Sequence, residues 1–554
     1  MSVVRAVARA ATLAACLAAA APGQAQTPPP PQAGPAARNG PVKQLTVDEA
    51  VRLALEQNLS LRVQRINPEI QQSNVDQAFT AWTPSLTGYL NYNNTDTPPD
   101  SFLSGSEETL KTDQLDGQAG VQQLTPWGAT WFAGWEARRG TSNSFYNTFN
   151  PTLRSNLSLQ YVQPLLRNRT IDASRQQLIV SRRNRDISDI DLRGTVVATV
   201  RSVKNAYWNL KAAIANLEVQ RQSLELANQT LKDNRTRVEV GTMAPIDIVE
   251  AESEVARNEE NVIVAEAAIR QAEDQLRALV FDPAATDFWS LVLDPIDPPK
   301  TEQQPIDVEA AVRSALDKRT DLQSAKASLA NVESSLKYYR NQTLPQVNAE
   351  IDYGTTAVGG VQNIREPGFP PGPILDTVTR SFWSVQNDIF SSAYPTWTLA
   401  VNVTYPLGRT SAHTSYNRSQ LELNQGKLQI LNLELQVGTQ VRDIGRQVNT
   451  NAQRVRATGA ARALAERRLE AEQKKFGVGT STSFLVFQAQ RDLSTARVNE
   501  LSALLDYNKS LVDFEAVQET AISGGGITLS GGGSFVATTA GTQTATAASQ
   551  ASRR

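Results

Sequence analysis

The feature that most constrains the fold of this chain is an internal repetition. Four motifs occur twice in the same order: 47–55 and 308–316, Pro84/Tyr92 and Pro345/Tyr353, 157–165 and 399–407, and Val240-Gly241-Thr242 and Val478-Gly479-Thr480. The first two pairs share one offset, 261 residues (308 − 47). Solenoid repeats have periods of about 20–50 residues. The sequence therefore predicts two copies of one large unit rather than a stack of small ones.

Each copy contains a very long stretch that is typical of an α-helix. Residues 165–244 contain no proline, and apolar residues recur at helical spacing from Val196 to Leu231. The predicted elements are a turn at 241–245 and a returning helix at 246–281, then a helix at 407–476, a turn at 477–483 and a returning helix at 484–520. About 75 helical residues would span ~110 Å. Helices of this length need antiparallel partners, as in a coiled coil.

Segments that precede the long helices alternate between apolar and polar side chains, which indicates β-strands. The alternating segments are 86–92, 129–135, 157–161, 347–353 and 397–405. Loops are predicted at 93–116 and 354–395, and shorter helices at 45–80, with a kink at Asn67-Pro68, and at 307–343. Such strands fit a transmembrane sheet, whose strands need ~9–11 residues, and equally a water-soluble sandwich. The strand pattern alone leaves both open, and the long helices favour the first.

The composition excludes several classes of function. The net charge is −2, which argues against general nucleic-acid binding. The only cysteine is Cys16 and the only histidine is His413, so neither a zinc site nor a catalytic triad is expected. We therefore predict a protein that is not an enzyme and that uses no cofactor or metal.

The N-terminus is typical of an export signal. Arg5 and Arg9 precede an apolar run that ends near Ala21, and cleavage is expected after Ala25. Cys16 follows Leu13-Ala14-Ala15, as in a lipoprotein signal, and is a candidate lipidation site; ordinary cleavage is the alternative. No later segment has 18 apolar residues in a row, so a mature protein that enters a membrane would do so as a barrel.

These patterns divide the chain into six parts. They are a signal peptide at 1–25, a Pro-rich leader at 26–44, a first repeat at 45–282, a Pro-rich inter-repeat segment at 283–305, a second repeat at 306–520, and a disordered Gly/Ser/Thr-rich tail at 521–554. The strand region of the first repeat is the longer one. It holds either an extra pair of strands or a longer external loop.

The doubled layout resembles the TolC-like outer-membrane efflux protein family over residues 45–520. The resemblance also rests on the strand-to-helix junctions at Pro164 and Pro406 and on the two Val-Gly-Thr turns. It implies an α+β membrane protein that forms a homotrimer. About four strands per protomer would build one outer-membrane β-barrel of ~12 strands, continuous with a periplasmic α-helical coiled-coil barrel.

The resemblance also implies the function and the partners. The chain would be the outer-membrane channel subunit of a tripartite efflux or type I secretion system, a passive exit duct in a Gram-negative bacterium. Its partners would be outer-membrane lipid, a periplasmic adaptor (membrane fusion) protein and an inner-membrane pump. The alternative is a periplasmic coiled-coil scaffold or adaptor with soluble β-domains.

By the same resemblance, the two turns form the periplasmic tip. The candidate tip and adaptor-contact residues are Gly241, Thr242, Met243, Pro245, Gly479, Thr480 and Phe484. Asp247 and Glu250 could form a constriction ring that favours cations, although acids near a helix N-terminus also offset the helix dipole. Where some members carry acids after the second turn, this chain has Leu485 and Gln488, and Ser481 replaces an arginine that holds one member closed.

Overall fold

The structure is a computed structural model of the chain. It describes residues 41–99, 108–285, 288–303, 305–369, 371–408 and 410–519, and the backbone of 527–529 and 535–537. The expected signal peptide at 1–25, Cys16 with its lipidation, and most of the leader and of the tail lie outside the described residues.

In the described residues, each half of the chain has two short helices followed by a long helical hairpin, and the second half has one further short helix between them. The helices of the described residues are α1 (Val47–Gln57), α2 (Leu59–Phe79), α3 (Ala173–Glu239), α4 (Ile246–Val280), α5 (Val308–Lys318), α6 (Thr320–Gln342), α7 (Phe382–Phe390), α8 (Ser411–Gly477) and α9 (Ser483–Val517). The longest, α3 and α8, have 67 residues each. Each therefore spans ~100 Å. No helix of the described part of the chain is both long and apolar enough to cross a membrane.

The long helices begin later than predicted. The expected start at Leu165 is wrong, because residues 165–172 leave the sheet as a loop before α3 begins. Asp172 stops this loop from being helical: its backbone is extended and its carboxylate accepts a hydrogen bond from the Arg175 amide at 2.8 Å. This is the geometry of a helix N-cap. Thr410 caps α8 in the same way, through the amide of His413.

The shorter helices are broken at a place that the sequence did not predict. Pro68 lies inside α2, so the kink expected at Asn67-Pro68 stays a prediction, and the chain breaks earlier, at Asn58. Arg319 breaks the second copy with nearly the same dihedral angles, φ −59° and ψ 121° at Asn58 against −58° and 127° at Arg319. The Asn58 side chain accepts from the Leu61 amide and donates to the Leu279 carbonyl, both at 2.9 Å. Such competing side-chain bonds interrupt a helix.

A second group of elements forms an antiparallel sheet. The strands of the described residues are β1 (Val42–Leu45), β2 (Ser85–Thr97), β3 (Leu110–Leu124), β4 (Thr130–Ser142), β5 (Phe149–Pro164), β6 (Val292–Pro295), β7 (Gln346–Arg365), β8 (Ile374–Arg380), β9 (Pro395–Thr404), β10 (Ile527–Leu529) and β11 (Phe535–Ala537). Seven of them form the main sheet in the order β2-β3-β4-β5-β7, with β8 and β9 sharing the far edge of β7. The expected count of about four strands is wrong, and the first repeat holds the extra pair.

The additional strands were missed because glycines and charged residues interrupt their alternation. The loop predicted at 93–116 contains the start of β3, and the loop predicted at 354–395 contains the end of β7, all of β8 and α7. In β3, Gly120 lies under the ring of Phe132, and a Cβ there would come within 2.8 Å of it. The missing side chain is therefore a packing requirement rather than a turn signal.

Both ends of the first repeat differ from prediction in a similar way. Val42–Leu45, assigned mostly to the leader, pairs in parallel with Val292–Pro295 from the Pro-rich segment. Buried Tyr207 of α3 holds this layer: its hydroxyl donates to the Leu45 carbonyl at 3.0 Å and accepts from the Asp297 amide at 3.0 Å. Burial raises the pKa of Tyr207 above its ordinary value.

In the tail, β10 and β11 pair with each other, where disorder was predicted.

The register of the main sheet separates an apolar face from a polar one. Residues directly opposite in antiparallel strands point to the same side. One face carries, from β2 to β9, Leu86, Leu90, Tyr92, Val121, Ala119, Trp131, Ala133, Trp135, Tyr161, Leu159, Leu157, Val347, Ile351, Tyr353, Val403, Val401, Leu399 and Trp397. The other carries Thr87, Asn91, Gln118, Asp116, Glu136, Arg138, Asn156, Gln160, Glu350, Asp352, Asn402 and Thr398.

Candidate functional site: the paired helical turns

The two Val-Gly-Thr turns have the same geometry. Gly241 and Gly479 hold φ of +76° and +78°, a region that favours glycine. The Gly241 and Thr242 amides donate to Val238 and Arg237 at 3.0 and 2.9 Å. The second turn repeats both bonds: the Gly479 amide donates to Phe476 at 3.2 Å and the Thr480 amide to Lys475 at 2.9 Å. This pair of bonds is the Schellman motif, which ends a helix and reverses the chain.

The threonines of the two turns also match. The hydroxyl of Thr242 donates to the Arg237 carbonyl at 3.0 Å, and that of Thr480 donates to the Lys475 carbonyl at 3.1 Å. Each carbonyl at the end of a helix therefore receives an amide and a hydroxyl from the same residue. Both threonines are exposed.

The first helical hairpin, α3 and α4, contacts the second, α8 and α9, directly at the turns. The hydroxyl of Ser483, which is almost fully buried, donates to the carboxylate of Asp247 at 2.8 Å. The guanidinium of Arg237 lies over the ring of Phe476, 4.3 Å from its centroid, and donates to the Phe476 carbonyl at 3.2 Å. A cation–π contact contributes ~0.5–1 kcal/mol at an exposed site and ~2 kcal/mol when desolvated, and this contact is partly buried. Two hydrogen bonds and one cation–π contact thus join the two turns.

A small apolar core supports these contacts. Phe487 of α9 is buried in a cluster from α3 and α4 that consists of Ala227, Leu231, Ala251 and Val255. Truncation of a buried phenylalanine costs ~3–5 kcal/mol. The helix N-termini beside the turns are less well capped, since neither Pro245 before α4 nor Thr482 before α9 makes a side-chain cap bond.

An exposed apolar surface surrounds the turns. Of the predicted contact residues, Phe484 is 53% exposed and Met243 is partly buried. Sequence reasoning missed four further apolar residues around them: Val240, Ile246, Val249 and Val478. Ile246 and Val478 are 70% and 76% exposed. The sequence pattern that could have revealed them is a large apolar residue at or near the end of a predicted helix. A residue in such a place is exposed unless another part of the protein packs on it.

The electrostatics of the second turn centre on Glu472. The hydroxyl of Ser481 donates to its carboxylate, and the Lys475 ammonium lies 3.3 Å from it. The Ser481 hydrogen bond, assisted by Lys475, lowers the pKa of Glu472 below its ordinary value. Ser481 is thus bound within its own hairpin. Among the described residues, no group of three His, Cys, Asp or Glu side chains could hold a metal ion.

The remaining predicted residues lie at two different levels. Pro164 is buried at the end of β5, and the next amide, Leu165, donates to the Val347 carbonyl at 2.7 Å. Pro406 is exposed just after β9. Both therefore lie where the sheet meets the long helices, at the other end of those helices from the turns. Asp247 lies at the inter-hairpin contact and Glu250 one turn further along α4, partly exposed.

Comparisons with known proteins agree on one family. The family model described as "Outer membrane efflux protein" matches residues 50–280 and 311–517. No curated protein matches the sequence. The outer-membrane channel OprN has a similar structure, with a TM-score of 0.60, 15% identity, and coverage of 85% of this chain and 89% of that one. The CmeC outer-membrane channel of Campylobacter jejuni has a TM-score of 0.60 and 14% identity, with coverage of 86% of this chain and 86% of that one. The MtrE channel of Neisseria gonorrhoeae, solved in its open state, has a TM-score of 0.56 and 14% identity, with coverage of 85% of this chain and 88% of that one.

Proposed function

The chain belongs to the outer membrane efflux protein family, and we propose that three copies of it form a passive exit duct. It is an outer-membrane channel subunit of a tripartite efflux system, and it extends into the periplasm. In the proposed duct, the sheets of three copies close into one barrel in the outer membrane. The eight long helices and helix segments of each copy form a tunnel wall below it.

The observation that carries this proposal is the two-faced sheet. In the described strands, the charged residues of the stretch that would cross the membrane lie on the polar face; they include Asp116, paired with Arg138 at 2.7 Å, and Glu350. On the apolar face of β4, the first charged residue is Arg139, nine residues from Thr130. Nine residues span ~30 Å along a strand. At the ~40° tilt of a barrel strand, this length covers ~23 Å of membrane height, which approaches the ~25 Å apolar band of an outer-membrane barrel.

The edges of the sheet support closure by several copies. β2 forms one edge and β9 the other, and the sheet is six strands wide at that level. Because six is even and all pairs are antiparallel, β9 of one copy would run antiparallel to β2 of the next. Open edges are excluded from lipid. Three copies would give ~18 strands rather than ~12, a size at which barrels leave an aqueous channel.

In the proposed duct the helical turns form the periplasmic tip. The exposed apolar residues around Phe484 suit a contact with a periplasmic adaptor, which in turn connects the duct to an inner-membrane pump. Asp247 and Glu250 of three copies would surround the axis and favour cations. Use in a type I secretion system needs the same architecture. The duct makes no bonds, so neither a cofactor nor catalytic residues are involved.

Two adjacent positions in β9 test the duct directly. Asn402 lies on the polar face and Val401 on the apolar face, at nearly the same height. In intact cells, a small membrane-impermeant maleimide should label Asn402→Cys strongly and Val401→Cys weakly. The unsubstituted chain gives the background, since its one cysteine is Cys16.

Each other outcome contradicts the duct in a recognisable way. Equal labelling of both positions would show that the sheet has no lipid-facing side. Labelling of neither in intact cells, with labelling of both after the outer membrane is permeabilised, would favour the periplasmic scaffold.

A further inference from the structure

Helix α7 lies on the apolar face of the main sheet, where a bare sheet would contact lipid. Val385 and Ile389 of α7 are buried against Leu153, Leu157 and Ala357, which belong to that face. We propose that α7 is a membrane-interface anchor, whose inner side completes the sheet and whose outer side enters the lipid of the outer leaflet. This inference rests on the proposed function, because it needs the apolar face to lie in the membrane.

The inner side of α7 covers polar groups that lipid could not satisfy. Ser155 and Thr355 point to the apolar face and are both buried. The Trp135 indole donates to the Gln386 side-chain oxygen and to the Ser155 hydroxyl, each at 2.9 Å. Thr355 donates to the Ile389 carbonyl at 3.2 Å. Unsatisfied polar groups are costly in the hydrocarbon region, so α7 acts as a permanent cover in place of lipid.

Polar contacts at both ends fix the helix to the sheet. Arg380, at the end of β8, forms an ion pair with Asp388 of α7 and donates to the Val358 carbonyl at 3.1 Å. After the helix, Tyr353 donates to the Ser392 hydroxyl at 2.9 Å. Close packing allows little space, since a Cβ at Gly359 would come within 2.4 Å of Val385. The helix is therefore part of the sheet's surface and not a loose loop.

The outer side of α7 is a stripe of large aromatic residues. Trp383 and Phe390 are each 78% exposed, and Tyr394, just after the helix, is 59% exposed. Trp383, Asn387 and Phe390 are spaced i, i+4 and i+7, which places them on one side of α7. Tyr394 follows the helix, after Ser392 leaves helical geometry with a φ of +52°. Tryptophan and tyrosine are enriched where a membrane protein meets the lipid headgroups, because their rings are apolar with one polar atom.

The height of α7 on the sheet agrees with an interfacial position. On the apolar face, Tyr405 at the end near the helices and Trp397 lie eight residues apart. Eight residues span ~26 Å along a strand, which is ~20 Å of membrane height at the ~40° tilt of a barrel strand. The two residues therefore lie near the two edges of the ~25 Å apolar band of an outer-membrane barrel. Trp397 lies opposite Tyr353, and α7 contacts the next residues of β7, Thr355 and Ala357. The helix thus begins where the outer belt is expected.

A neighbouring copy is a poorer occupant for this surface than lipid. In the proposed duct, copies join along β2 and β9, whereas α7 lies over β5 and β7, beyond the last residue pair between β7 and β9. Its aromatic stripe points away from the sheet rather than along it. The apolar face continues on both sides of the helix, so whatever covers Leu399 also covers the stripe.

Spin labels on single cysteines distinguish these occupants. The full chain is reconstituted in vesicles, with a label at Phe390→Cys or Asn387→Cys. Leu399→Cys serves as a reference on the sheet and Trp289→Cys, an exposed tryptophan outside the sheet, as an aqueous control. Collisions with oxygen report lipid, and collisions with a water-soluble nickel complex report water. For the α7 labels we expect oxygen collisions to exceed nickel collisions several-fold, as at Leu399→Cys, with the reverse at Trp289→Cys.

Two results would overturn the anchor while leaving the duct intact. If Leu399→Cys reports lipid but the α7 labels report water, the helix lies above the membrane. If the α7 labels are immobile and reached by neither reagent, protein covers them. A water signal at Leu399→Cys itself would instead contradict the proposed function.

Discussion

At the scale of single residues, the glycines after the long helices hold a conformation that other residues avoid. Nothing lies within 4 Å of a Cβ added at Gly479, so Gly479→Ala introduces backbone strain without a clash. The strain should cost about 1–2 kcal/mol. Hydrogen exchange of the amides in the second turn should then rise roughly 5- to 30-fold. Gly477→Ala is a matched control, since its Cβ also meets nothing and its φ is ordinary. If Gly479→Ala and Gly477→Ala change hydrogen exchange in the second turn equally, the positive φ of Gly479 is not what requires a glycine there.

The pKa of Glu472 predicts a pH dependence of the same turn. The pKa of Glu472 is lower in the folded protein than in the unfolded chain. Ionised Glu472 therefore stabilises the fold at a pH above its pKa in the unfolded chain. This stabilisation is lost as the pH falls through the pKa of Glu472 in the folded protein. Exchange in the second turn, corrected for intrinsic rates, should therefore rise as pH falls below ~4.5. Ser481→Ala, which removes the largest cause, should shift this rise to higher pH. An unchanged profile in Ser481→Ala would show that Ser481 does not control Glu472.

Asp247 allows a test of the proposed constriction. In a planar bilayer with a salt gradient, Asp247→Asn should reduce the cation preference of the open duct, because three carboxylates near the axis are removed. Glu259→Gln removes an exposed carboxylate about three turns further along α4 and should leave the reversal potential unchanged. If both changes have the same effect, Asp247 acts only in the contact with Ser483.

Single residues differ in how far the sequence reveals them. Gly241 and Gly479 could be predicted, since a glycine after a long proline-free stretch has one common use. The bond between Ser483 and Asp247 could not, because it joins residues 236 positions apart. The packing of Phe487 between the hairpins and the contact of Arg237 with Phe476 hold those two helix starts together.

At the scale of elements, the exposed apolar residues at the turns predict where an adaptor binds. Phe484→Ser should weaken binding of the cognate adaptor roughly tenfold, the effect of losing ~1.4 kcal/mol from a central contact. Phe369→Ser is a suitable control, because Phe369 is also exposed but follows β7 at the opposite end of the molecule. Binding is measured on a sensor surface with detergent-solubilised duct. Loss of binding in both variants, or in neither, would remove the tip as the contact site.

The same scale shows which elements a sequence pattern can reveal. The long helices were predicted because their apolar periodicity extends over many turns without proline. The strand β3 was not, since glycines and charges replace the alternation where Phe132 packs over Gly120. The strand β8 has only seven residues, which include Asp376 and Arg380. Helix α7 was missed because its buried side carries Gln386, whose partner Trp135 lies 251 residues away. The break at Asn58 depends likewise on a carbonyl of α4.

At the scale of the whole molecule, the doubled order of helices and the two-faced sheet have one common explanation. Helices of ~100 Å need partners along their length, and a sheet with one apolar face and two open edges needs lipid and further copies. A ring of copies satisfies both needs at once. The order of these parts was predictable from the repeated motifs, whereas the width of the sheet was not, because it depends on the missed strands.

The most direct test of this account is an image of the assembled protein. We would extract the full chain from outer membranes in detergent and examine it by negative-stain electron microscopy. The account predicts threefold rods longer than ~100 Å with a detergent belt at one end. Recovery only from the soluble periplasm, as monomers or as particles without a tunnel, would contradict it.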